Sequence, residues 1–228
     1  MKHRLRALLR GDADEISAWL AEPGIRWDVT CILVILLGSG LYGFTVGLWR
    51  APLQSLYTAL KFPLLILLTC AGNALLNGIL AQLLGSGLSF RQTSRAILMS
   101  FALTGLILGA LSPISFFVLY NTPPLSSSAT VLGHSITLLT HVFFIAGAGI
   151  IANRRLYRLL EKMSGHRRTA RTVLFSWLGG NFLLGSQLAW VLRPFIGSPG
   201  LAIEFLRDDP LRGNFYEAVG RALRHLFF

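Results

Sequence analysis

Charge is scarce in this chain, and acid is scarcer than base. Charged residues make up 14% of 228, with 10 Asp and Glu against 21 Lys and Arg. A soluble domain of this size carries about a quarter charged residues. The shortage is also patterned. No Asp, Glu, Lys or Arg falls within five apolar stretches at residues 29–49, 62–84, 96–120, 129–152 and 172–192. Ion-coupled carriers and proton pumps rely on carboxylates at membrane depth, so their absence argues against that class. Cysteine is nearly missing too. Cys31 and Cys70 both lie in apolar stretches, with neither a metal-ligand spacing nor a disulfide framework, and read as small buried side chains. There is no Gly-x-Ser-x-Gly, no His-Glu-x-x-His, no phosphate-binding glycine loop and no nucleotide fingerprint. Nothing in the chain names a reaction, so the expectation is a protein that is not an enzyme and needs no cofactor or catalytic metal.

What the chain does have is length in its apolar runs. Each is near the roughly 20 residues needed to cross a hydrocarbon core of about 30 Å. The fold class expected is all-α, a polytopic transmembrane bundle of about five spans with amphipathic helices at both termini. Residues 1–27 form a leader too polar to be a signal peptide, 28–193 the five-helix membrane domain and 194–228 a tail. Basic residues set the orientation. Fourteen of the 21 precede span one or lie between spans two and three or four and five, with seven in the segment 153–171 alone. That places the N-terminus in the cytoplasm and the C-terminus outside a bacterial inner membrane.

The faces of the spans carry the finer reading. Gly40, Gly43 and Gly47 share one face of span one, and Gly105-x-x-x-Gly109 repeats the theme in span three. Small residues at such spacing let another backbone come close. The approaching helix belongs either to the same bundle or, for Gly43 and Gly47, to a second copy. Thr69, Asn73 and Asn77 recur every four residues and form a polar stripe on span two. His134 and His141 share a face of span four, and Gln187 adds an amide in span five. These residues read as interhelical hydrogen-bonding groups, or as the wall of a small polar passage. Residues 50–61, bounded by Pro52 and Pro63, are expected to lie as a short helix in the outer interface.

Arg154, Arg155 and Arg158 continue span four into the basic segment and suit anionic lipid headgroups on the cytoplasmic side. Arg193, between a tryptophan and a proline, is a candidate headgroup or partner contact. The basic residues have no accompanying aromatic platform, which argues against nucleic acid. The leader places Ile16, Trp19 and Leu20 on one face and is expected to rest on the leaflet. Residues 214–226 are expected to form a closing amphipathic helix.

With the span count and topology, Leu41-Tyr42-Gly43 in a glycine-rich first span and Ser89-Phe90-Arg91-Gln92 before the third resemble the bacterial branch of the Yip1-like membrane proteins. The resemblance covers residues 29–192. It implies a non-enzymatic role in organising membrane or binding partners. The expected function is a structural, assembly or partner-binding subunit that associates with other membrane proteins or itself. The alternative is a solute or lipid transporter using the stripes of spans two and four.

Overall fold

The computed structural model describes residues 6, 7, 9–84 and 87–217. Among them every regular element of the chain is helical: α1 (Ala13–Ala21), α2 (Arg26–Leu48), α3 (Pro52–Leu83), α4 (Phe90–Tyr120), α5 (Thr130–Ser164) and α6 (Arg167–Val191). Four of these, α2 to α5, are long and apolar enough to cross a membrane. With 25 residues α6 reaches about 37 Å at 1.5 Å per residue. It is not among the four, because Ser176, Asn181, Ser186 and Gln187 dilute its apolar character.

The distribution of polarity fits a lipid solvent. Leu37, Leu60, Leu83, Val131 and Phe143 are exposed on the outside, whereas Ser39, Gln54, Ser55, Thr58, Lys61, Asn73, Asn77 and Thr93 have no exposed surface at all. A water-soluble domain inverts this arrangement. In a bilayer the polar groups gather inside, where they find partners.

Contacts between helices fix their directions. Gly43 and Gly47 of α2 meet Thr58 and Gln54 of α3, so that pair is antiparallel. Asp28 meets Arg95 at one end and Thr45 meets Ser115 at the other, so α2 and α4 are parallel. Tyr42 bonds to His141 while Trp49 packs on His134, so α5 runs against α2. Gly72 meets Leu184 while Lys61 reaches Pro194, so α6 runs against α3. One end of the bundle therefore holds α1, the α3–α4 connection and the α5–α6 turn. The other holds the α2–α3 and α4–α5 connections and the residues after α6. The α5–α6 turn is made by Gly165 at φ +69°, a left-handed cap whose N–H returns to Glu161.

Two expectations need correction. Residues 50–61 are not a separate interfacial helix. Pro52 opens α3, where a missing N–H costs nothing, and the helix continues through Pro63 to Leu83. The segment stands upright because its Gln54, Ser55, Thr58 and Lys61 are buried against α2 and the chain beyond α6. Nor does the apolar face of the leader lie open to a leaflet. Capped by Asp12, α1 buries Ile16, Trp19 and Leu20 in one cluster with Leu156, Leu159 and Leu160, because α5 extends far enough to receive them. Of the closing helix expected at residues 214–226, residues 215–217 are helical, and the rest of that expectation lies outside the described residues.

Candidate functional site

The glycines set how closely the helices lie. A β-carbon on Gly43 would sit 2.5 Å from the Thr58 carbonyl oxygen, and one on Gly109 would sit 2.8 Å from the Gly38 α-carbon. Gly47 meets the Gln54 carbonyl, Gly105 meets Ile35, and Gly40 has looser contact with Ala59. All five thus face neighbouring helices of the same chain. Gly38 makes the tightest approach, against the Gly105 carbonyl.

Close approach brings two buried cations onto backbone. Arg95, 5% exposed, donates through Nε to Asp28 Oδ1 at 3.0 Å and through Nη2 to Oδ2 at 3.0 Å. Its remaining N–H groups reach the carbonyls of Glu22 at 2.6 Å, Leu20 at 3.4 Å and Gly24. A guanidinium supplies five donors in a planar fork, and here one carboxylate and three carbonyls take them. The residues between α1 and α2 are thereby held to the foot of α4.

At the opposite end Lys61, with no exposed surface, donates to the Pro194 carbonyl at 2.8 Å and has its ammonium 5.0 Å from the centre of the Phe205 ring. Gln54 donates to the carbonyls of Phe195 at 2.8 Å and Pro194 at 3.1 Å, and Thr58 to Phe195 at 2.7 Å. Gln54, Thr58 and Lys61 stand at i, i+4 and i+7, so one face of α3 holds the chain beyond α6. Arg50 adds a bond to the Leu201 carbonyl at 2.8 Å.

The residues of the polar stripes separate into three places. Thr69, Asn73 and Asn77 are buried toward α6, where Gly180 faces both asparagines and Gly185 faces Thr69. Asn73 donates to the Thr69 carbonyl at 2.9 Å. His141 Nδ1 lies 2.8 Å from the Tyr42 hydroxyl, and His134 packs its ring 5.6 Å from Trp49, so both histidines serve the α2–α5 contact. Gln187 accepts weakly from the Phe215 N–H at 3.4 Å, near the second end.

A cavity of about 490 Å³ lies among α3, α4, α5 and α6. Thr69, Ser100, Thr104, Asn153, Trp177 and Asn181 give it polar points in an otherwise apolar wall, and none of its lining residues is ionisable. The basic residues lie elsewhere. Arg154 and Arg158 are exposed at the first end and Arg155 is half-buried beside Gly11. Arg193 lies at the second end, stacked 3.8 Å over the Trp190 ring with Nη1 on the Trp190 carbonyl at 2.6 Å. Its loss of hydration, and then the neighbouring Arg207, lower its pKa. Among the described residues no group of His, Cys, Asp and Glu is placed to hold a metal ion.

Sequence reasoning missed Arg95 and Lys61 as anchors, and Trp177 with Asn181 as cavity walls. The i, i+4, i+7 spacing of Gln54, Thr58 and Lys61 was the available signal, a one-face pattern like the i, i+4, i+8 spacing of the Thr69 stripe. No family model, curated protein or solved structure matches the chain.

Proposed function

We propose that this is a non-enzymatic integral membrane protein that crosses a bacterial inner membrane five times and acts as a structural, assembly or partner-binding subunit. The fifth crossing is α6. It runs antiparallel to α3 from the basic end of the bundle to the other, which supports a cytoplasmic leader and an external tail. The Yip1-like resemblance agrees with such an organising role.

The observation that carries the subunit reading is how little of α5 its neighbours cover. Only 22% of its most apolar 18-residue stretch is buried, against 39%, 39% and 33% for α2, α3 and α4, and the adjoining α6 is likewise open, with Ala170, Val173 and Trp177 its buried residues. Gly147 of α5 meets nothing within 4 Å, unlike the five seam glycines. In lipid, where apolar surface alone gives no drive to associate, such open small-residue ground suits another helix. Arg154, Arg155 and Arg158 at the foot of the same helix suit anionic headgroups.

Extraction in a mild detergent followed by native mass measurement tests this. The expected result is a species heavier than the 25.0 kDa chain, either a second copy or a co-purifying membrane protein. Replacing Gly147 by leucine is expected to reduce that species to the single chain without lowering thermal stability. A wild-type protein that is strictly monomeric and alone contradicts the reading.

A further inference from the structure

The interior cavity has a chemistry of its own. Part of its polar wall is already occupied: Thr104 donates to the Ser100 carbonyl at 3.1 Å and Asn153 to the Gly149 carbonyl at 2.8 Å. Three atoms are left over. Thr69 Oγ1, Trp177 Nε1 and Asn181 Oδ1 are buried without a hydrogen-bond partner, and all three residues line this one cavity. Thr69 is 5% exposed and Trp177 1%. A buried polar group without a partner is unfavourable, and these three belong to residues that line one space, which marks it as a place for a partner.

We propose that this cavity binds an uncharged, mainly apolar molecule carrying a hydroxyl group, such as a neutral lipid. The donors and acceptors define the polar part. Trp177 Nε1 can only donate and Asn181 Oδ1 can only accept, so the bound group must do both, as a hydroxyl does. Thr69 takes either role. The apolar part follows from the rest of the wall, with Phe62, Leu65, Ile66, Ile97 and Leu108 among its members. A carboxylate or ammonium would enter with no counter-charge, because no lining residue is ionisable, and such burial is prohibitive. The size falls within the roughly 300–1,000 Å³ of small-molecule sites. Entry is sideways. Ile145 of α5 and Phe182 of α6 line the cavity and are themselves exposed, so its mouth opens between these two helices toward the bilayer. This site stands apart from the partner reading, which concerns the outer face of α5.

The test uses quenching of tryptophan fluorescence in the full-length detergent-solubilised protein. The probe is a monoacylglycerol brominated in mid-chain, with the equally brominated free fatty acid at neutral pH as the charged comparator. Saturable quenching by the monoacylglycerol is expected, at least tenfold tighter than by the fatty acid. Trp177→Phe should remove the saturable component and leave any shallow quenching of the other four tryptophans. Thr69→Val and Asn181→Leu should each weaken binding about fivefold to tenfold, the loss of one hydrogen bond. Gly149 lines the cavity with open space beside it, so Gly149→Phe should fill it and abolish saturable quenching at unchanged melting temperature. Equal quenching by both probes, saturable quenching that survives Gly149→Phe, or no saturable quenching at all, which would mean water only, overturns the proposal.

Discussion

Gly38→Val is expected to prevent stable assembly of the bundle. The added β-carbon would fall within the Gly105 carbonyl group, and no side-chain movement relieves a collision with backbone. Separating α2 from α4 also strips the contacts that Gly105 and Gly109 make with residues 35 and 38. Overpacking into side chains costs about 1–3 kcal/mol, and a backbone clash at the centre of a seam should exceed about 3 kcal/mol. Thermal inactivation in detergent, followed by size-exclusion, reads this directly. Gly179→Val is the matched control, since a β-carbon there meets nothing within 4 Å and should leave the melting curve in place. Coincident curves for Gly38→Val and wild type would refute the seam as described.

The second large effect concerns Arg95. Arg95→Leu leaves Asp28, itself 25% exposed, without its cation and three carbonyls without their donors. Breaking a buried pair from one side costs roughly 3–5 kcal/mol. The loss should be local. Residues 12–25 are expected to become a site of rapid proteolysis while the remaining bundle stays folded. Arg95→Lys should be intermediate, because a point charge with three donors cannot hold a carboxylate and three carbonyls together. Asp28→Asn should be milder, since the carbonyls still engage the guanidinium. Cleavage of Arg95→Leu at the wild-type rate would mean that α1 is held by its apolar face alone.

How much of this was legible beforehand depends on the scale of each interaction. Periodicity and length revealed the helical class and the apolar character of α2 to α5, because the bilayer acts on whole segments. Spacing likewise showed that Gly43, Gly47, Gly105 and Gly109 share faces, though not which helix each would meet. The extent of α3 was hidden, since Pro52 and Pro63 look like boundaries when the buried polar face joining them has no visible partner. The same reason concealed Arg95 and Lys61. Both bond to backbone carbonyls, and carbonyls leave no trace in side-chain identity. The leader read as a membrane-surface helix because its partner, the end of α5, is brought there only by the fold. His134, His141 and the Thr69 stripe looked alike in sequence but serve different helix pairs. The cavity was least legible, as its wall joins Thr69 to Trp177 and Asn181, more than a hundred residues away on another helix.

With α6 as the proposed fifth crossing, the leader and the chain beyond Arg193 lie on opposite sides of the membrane. Single cysteines at Ala18 and Ser198, both exposed positions, report the two sides, and the native Cys31 and Cys70 are buried. Spheroplasts are treated with a membrane-impermeant maleimide before and after permeabilisation. Ser198→Cys is expected to label in intact spheroplasts, and Ala18→Cys only once the membrane is opened. Labelling of both only after permeabilisation would place the two ends on one side, leave four crossings and contradict the topology.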